Sequence, residues 1–92
     1  LEDNFLQVST ILEIYPNPAQ DAVAIDLQLV NQEKISISLM NNLGQMVEQI
    51  FHGDLSEGKH VISADLSGIE RGMYFIRLKG TTLNEVMKIF IQ

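Results

Sequence analysis

Residues 22–40, AVAIDLQLVNQEKISISLM, decide the fold. Val23, Ile25, Leu27 and Leu29 alternate with Ala24, Asp26 and Gln28, and past Asn31-Gln32 the alternation resumes with Ile35, Ile37 and Leu39 against Ser36 and Ser38. A period of two places the apolar set on one face of a strand and the polar set on the other. Ala22–Val30 and Glu33–Met40 therefore read as two half-buried strands of an antiparallel sheet.

The pattern extends in both directions. Upstream, Ile11–Tyr15 reads as a strand stopped by Pro16-Asn17-Pro18, because proline cannot donate to a ladder and Asn suits a turn. Downstream, Asn41-Asn42-Leu43-Gly44 reads as a tight hairpin turn, since Asn and Gly tolerate positive φ. Gln45–Phe51 comes next as a strand with mixed faces, which leaves its register open. A loop over His52–Lys59 leads to a strand over His60–Leu66, where Ile62, Ala64 and Leu66 share a face. After a turn at Ser67–Gly72 come Met73–Lys79, with Tyr74, Ile76 and Leu78 inward, and a hairpin at Gly80–Asn84. The last strand, Glu85–Ile91, has Met87, Ile89 and Ile91 opposed to Val86, Lys88 and Phe90. Seven strands starting 11 to 15 residues apart leave no room for crossover helices. The expected fold is an all-β, immunoglobulin-like antiparallel sandwich over 11–92, with 1–10 as the candidate linker.

Composition narrows the function. Twelve acidic and 6 basic side chains give the 92 residues a net charge of −6. Six acids and no Lys or Arg fall in residues 1–33. Phosphate binding needs a basic patch, so nucleic acid is not an expected partner. Without cysteine there is neither disulfide nor thiolate metal site. The longest apolar runs, Ala22–Ile25 and Met73–Ile76, are four residues, against about 20 for a membrane helix; no membrane insertion is expected. A chain that opens at Leu1 with no basic stretch leading into an apolar one is expected to be part of a longer precursor and to hold no signal peptide within it.

Candidate chemistry is thin. Gly53–His60 is one residue from a phosphate-binding loop, but the residues after it alternate like a strand, and Asp54 and Glu57 oppose an anion. His52 and His60 are the only histidines, too few ligands for a metal without help from acids. Asp21, Asp26, Asp54 and Asp65 offer carboxylates for calcium without the spacing of a calcium loop. Ser56 or Ser63 with a histidine and an aspartate makes a triad only on paper, in a chain too small for a water-excluding pocket. No cofactor and no catalysis are expected. Tyr15, Phe51, Phe75 and Phe90 are expected to pack mostly in the core rather than to form a carbohydrate platform. Val86–Ile91 is either a covered strand or an edge open to β-augmentation.

Tyr15-Pro16-Asn17-Pro18-Ala19, the Gly44 hairpin followed by Met46-Val47, Gly72-Met73-Tyr74-Phe75-Ile76-Arg77-Leu78, and a Lys-bearing apolar last strand occur in an order that resembles the type A C-terminal sorting domain of the type IX (Por) secretion system. The resemblance covers Ile14–Gln92. It implies a non-catalytic domain at the end of a secreted cargo of a Gram-negative bacterium, in transit through the periplasm to the cell surface or the medium. Its implied partners are the cargo domain upstream, the outer-membrane translocon and a sortase-like cysteine peptidase that removes the domain in or before Leu1–Thr10. The matching positions are Pro16, Asn17, Pro18, Gly44, Gly72, Tyr74 and Lys88, and Met73–Gln92 is the expected docking element. Asn41 and Asn42 stand where the family commonly has an aspartate, and Gln92 where many relatives end in a basic residue. The alternative function is an immunoglobulin-like accessory module, adhesive or carbohydrate-directed, of a secreted enzyme.

Overall fold

The computed structural model describes residues 8–92 and contains seven strands. They are β1 (Thr10–Tyr15), β2 (Ala22–Leu29), β3 (Glu33–Met40), β4 (Met46–Leu55), β5 (Gly58–Asp65), β6 (Gly72–Lys79) and β7 (Asn84–Ile91). All pairings between strands are antiparallel. The strands form a three-stranded sheet, β1-β2-β5, and a four-stranded sheet, β4-β3-β6-β7. Strands two and five share one sheet while three, six and seven share the other, the pairing of an immunoglobulin-like sandwich whose second sheet carries an additional edge strand.

Alternation sets the core. Val23, Ile25, Leu27 and Leu29 of β2 are buried against Ile35, Ile37 and Leu39 of β3, Ile76 and Leu78 of β6, and Ile89 and Ile91 of β7. Each large aliphatic side chain taken out of water this way contributes about 1.5–3 kcal/mol. No polar or charged residue is buried among the described residues, so apolar burial and the backbone ladders hold the sandwich together.

The structure redraws one boundary. β4 runs through Gly53 and Asp54 to Leu55, so the loop expected over His52–Lys59 shrinks to Ser56-Glu57, which carries the chain from one sheet to the other. Its mixed faces come from register shifts opposite Ile37/Ser38 and Leu39/Met40. Such bulges set two residues of one strand against one of its partner and break the period of two, and both Ile50 and Phe51 accordingly pack against the core. The expected linker mostly lies outside the described residues, which begin at Val8. From there the chain is already tied to the sandwich: Gln28 donates to the Val8 carbonyl at 2.8 Å, and the Val30 amide to the Ser9 hydroxyl at 2.9 Å.

Candidate functional site

The Pro16-Asn17-Pro18 turn does more than stop β1. It crosses to the other sheet and lies along the outer edge of β7. The Asn17 side chain acts there as a strand residue would: its Oδ1 accepts from the Phe90 amide at 3.1 Å, and its Nδ2 donates to the Lys88 carbonyl at 3.4 Å. Ala19, fully buried, continues the pairing. Its amide donates to the Phe90 carbonyl at 2.7 Å and its carbonyl accepts from the Gln92 amide at 2.8 Å, a parallel bridge to Ile91. At the far end of β7, Glu85 reaches β1, accepting from the Ile11 amide at 2.9 Å and the Thr10 hydroxyl at 2.7 Å. Val86–Ile91 is therefore an edge strand whose last part is occupied from within the chain, and the exposed hydrogen-bonding groups of an edge are capped where the turn lies.

The geometry of the Gly44 hairpin comes from its residues. Gly44 has φ +81°, and its amide donates to the Asn41 carbonyl at 3.0 Å. The Asn41 Oδ1 accepts from the amides of Leu43 and Gln45 at 2.9 and 3.0 Å. An Asn side chain thus performs the turn capping available to an aspartate, without the charge. Gly72 opens β6 at φ +150°. Two residues on, the Tyr74 ring enters the core and its hydroxyl donates to the Glu70 carbonyl at 2.6 Å. A tyrosine at the start of the sixth strand bonding back to the chain just upstream is the corner that fixes the turn between sheets in immunoglobulin-like domains. Alternation alone assigns Tyr74 only to the core; its place just after a Gly-bounded turn is the signal that points to the corner.

These positions converge. Gly72 pairs with Ile91, Met40 with Phe75, and the β3–β4 hairpin lies beyond Met40. The hairpin, the start of β6, the end of β7 and the Pro-Asn-Pro turn thus occupy one end of the sandwich. Asn41, Glu70, Gly72 and Tyr74 line an open cleft there of about 500 Å³, and Arg71 lines both it and a neighbouring one with Asp21, Ile91 and Gln92. Lys88 stands farther along β7, opposite Phe75, with its Nζ 5.9 Å from the centre of the Phe90 ring.

A family model described as the secretion system C-terminal sorting domain matches residues 13–92. The chain belongs to the type IX secretion C-terminal sorting domain family. No curated protein matches it. The sorting domain is thus a type IX C-terminal signal, part of a cargo precursor that engages the type IX machinery on its way to the cell surface or beyond the cell.

The chemistry weighed from the sequence finds little geometry in this sorting domain. His52 lies on β4 opposite Ser36, while His60 lies on β5 in the other sheet with its Nε2 2.7 Å from the Ser56 carbonyl. Asp54 and Asp65 are likewise in different sheets, and Asp65 is engaged locally by the hydroxyl and amide of Ser67 at 2.7 and 2.9 Å. Those bonds, the hydroxyl first, hold the Asp65 carboxyl below the usual aspartate range. Among the described residues no three of His, Cys, Asp and Glu come together. Gly53–His60 comprises the end of β4, the Ser56-Glu57 link and the start of β5, so a strand and not a helix follows its glycines. The aromatic expectation needs correction: only Phe51 packs against the core, whereas Tyr15 and Phe90 are exposed and Phe75 lies on the outer face of its sheet. Phe75 and Phe90 have the parity opposite to Ile76 and Ile89, so the alternation itself sends them outward.

Proposed function

We propose that this chain is the folded address by which a periplasmic cargo is delivered to the type IX outer-membrane translocon, with Met73–Gln92 as its docking element, and that a sortase-like cysteine peptidase then removes it by a cut in or before residues 1–10. The family match over residues 13–92 carries this reading. The gathering of the matched positions supports it: Pro16, Asn17, Pro18, Gly44, Gly72 and Tyr74 lie at one end, with Lys88 on the strand that Asn17 holds. The glycines, Tyr74 and the prolines shape that end, and Lys88 is the matched residue whose charge suits contact with a partner.

Pulse–chase of the natural precursor in strains with and without the translocon tests the proposal. The account expects the precursor to accumulate uncut in the periplasm of the deficient strain. In the intact strain, mature cargo outside the cell should end at or before residue 10. Equal release and processing in both strains would overturn it.

A further inference from the structure

The two outer faces of the sandwich carry opposite charge. On the four-stranded sheet, the residues alternating with the core point away from it. Lys34 of β3, Arg77 and Lys79 of β6, and Lys88 of β7 share that outer face, four of the chain's six cations. Asp54, opposite Lys34, is the strand acid that the register sets among them. The outer face of the three-stranded sheet is the reverse, with Glu13 directly opposite Asp26, Asp65 farther along, and Lys59 as its cation. A chain with a net charge of −6 has thus collected most of its positive charge on one surface.

The same surface is apolar toward the end where the family positions gather. One row crosses all four strands as Met46, Met40, Phe75 and Lys88, and Met73 pairs with Phe90 in the next. Met46 is 61% exposed, Val86 52% and Phe90 45%. Exposed apolar side chains that are neighbours on one face mark an interaction surface; on the other sheet Tyr15 and Val61 are also exposed, but there Val61 lies opposite Asp26 on the acidic face. Methionine is unbranched and polarizable, and adapts to a partner's shape. The cations are bedded in the face: Arg77 Nε donates to Asn84 at 3.2 Å, and the Lys88 ammonium lies over the Phe90 ring.

From this we infer that the outer face of β4-β3-β6-β7 docks a protein surface of the secretion machinery that presents carboxylates around an apolar patch. Oppositely charged faces steer encounter and fix orientation, while the apolar row supplies buried contact. An anionic lipid surface fits less well, because lipid recognition uses dense basic clusters, whereas these cations are spread over three strands of an acidic chain. The inference rests on the sorting reading and enlarges the docking element beyond Met73–Gln92 to include β3 and β4.

The test joins the 92 residues behind an inert secreted reporter and compares wild type with Arg77→Glu/Lys79→Glu/Lys88→Glu and with Met46→Ser/Phe90→Ser. A control, Gln28→Glu/Lys59→Glu/Ser63→Glu, adds acid to the other face. Circular dichroism and melting verify that each variant is folded. Both outer-face variants should lose surface reporter tenfold or more, while the control and the charge-keeping Lys79→Arg/Lys88→Arg match wild type. Export of the charge-reversed variant at the wild-type level, or equal loss in the control, overturns the inference and leaves sorting intact. Wild-type export that ignores the translocon overturns the sorting reading itself. Two further results replace the partner and so also overturn it. One is binding of wild type but not of the charge-reversed chain to vesicles with 30% phosphatidylglycerol. The other is self-association in sedimentation that the reversal abolishes.

Discussion

Replacing Asn17 by alanine removes the side chain that joins the turn after β1 to the last strand. It deletes one hydrogen bond of ordinary length, from the Phe90 amide at 3.1 Å, and one long one, to the Lys88 carbonyl at 3.4 Å. A net bond is worth about 0.5–1.5 kcal/mol, and the long, exposed one belongs at or below the bottom of that range. The expected loss is about 0.5–2 kcal/mol. In a domain of this size each kcal/mol moves the melting midpoint by roughly 4–8 °C, so Asn17→Ala should melt about 2–16 °C below wild type. Ala19 still pairs with the Phe90 carbonyl and the Gln92 amide, which makes the effect local. Amide exchange should therefore accelerate at Phe90 far more than at Gln92. Asn17→Asp keeps the acceptor for Phe90 and should fall between the two. If Asn17→Ala melts within 1 °C of wild type with Phe90 exchange unchanged, the turn does not hold β7 and the reasoning fails.

Tyr74→Phe deletes only the 2.6 Å bond to the Glu70 carbonyl and should cost about 1 kcal/mol in urea unfolding; an unchanged midpoint would mean that the corner contributes nothing. A Cβ at Gly44 would meet nothing within 4 Å, but its φ is +81°. Gly44→Ala should thus cost about 1–2 kcal/mol of backbone strain and Gly44→Asn clearly less, an order that paired thermal melts will check. Gly80→Ala puts a Cβ 2.6 Å from Glu33 Oε1, the oxygen that receives the Thr82 amide, and 2.9 Å from Ile35 Cδ1. It should destabilise by about 1–3 kcal/mol, and a neutral result in denaturant would show that both side chains move aside freely. Ser67→Ala removes the main cause of the lowered Asp65 value, so the carboxyl should titrate higher by NMR. Because the folded value is depressed, the stabilisation is present above the ordinary aspartate range and fades as the pH falls through the folded value; an Asp65 titration unmoved in Ser67→Ala would contradict this.

The strands were legible wherever one face is core and the other solvent. Val23 to Leu29 and Ile35 to Leu39 fall into the buried and open sets that their alternation assigns. β4 resisted because its bulges place Ile50 and Phe51 on the same side, and because Gly53-Asp54 resembles a loop in composition while sitting inside a ladder. The same chemistry misled at Phe75 and Phe90, where hydrophobicity suggested burial and parity dictated exposure. At the candidate site, the order of the Pro-Asn-Pro, Gly44, Gly72-Met-Tyr and Lys88 positions identified the family. The clasp between Asn17 and β7 was beyond reach, since it joins residues more than seventy apart through a side chain imitating a strand. The separation of charge between faces was latent in the alternation, because Arg77, Lys79 and Lys88 all have the outward parity, but only the sheet order brings Lys34 beside them.

The central claim is that these 92 residues suffice as a type IX address. The most direct measurement attaches them to the C-terminal end of an inert reporter with its own signal peptide and quantifies reporter outside the cell in translocon-intact and translocon-deficient strains. The account predicts reporter at the surface or in the medium only when the translocon is present. A stable, folded fusion that remains in the periplasm of both strains would contradict it.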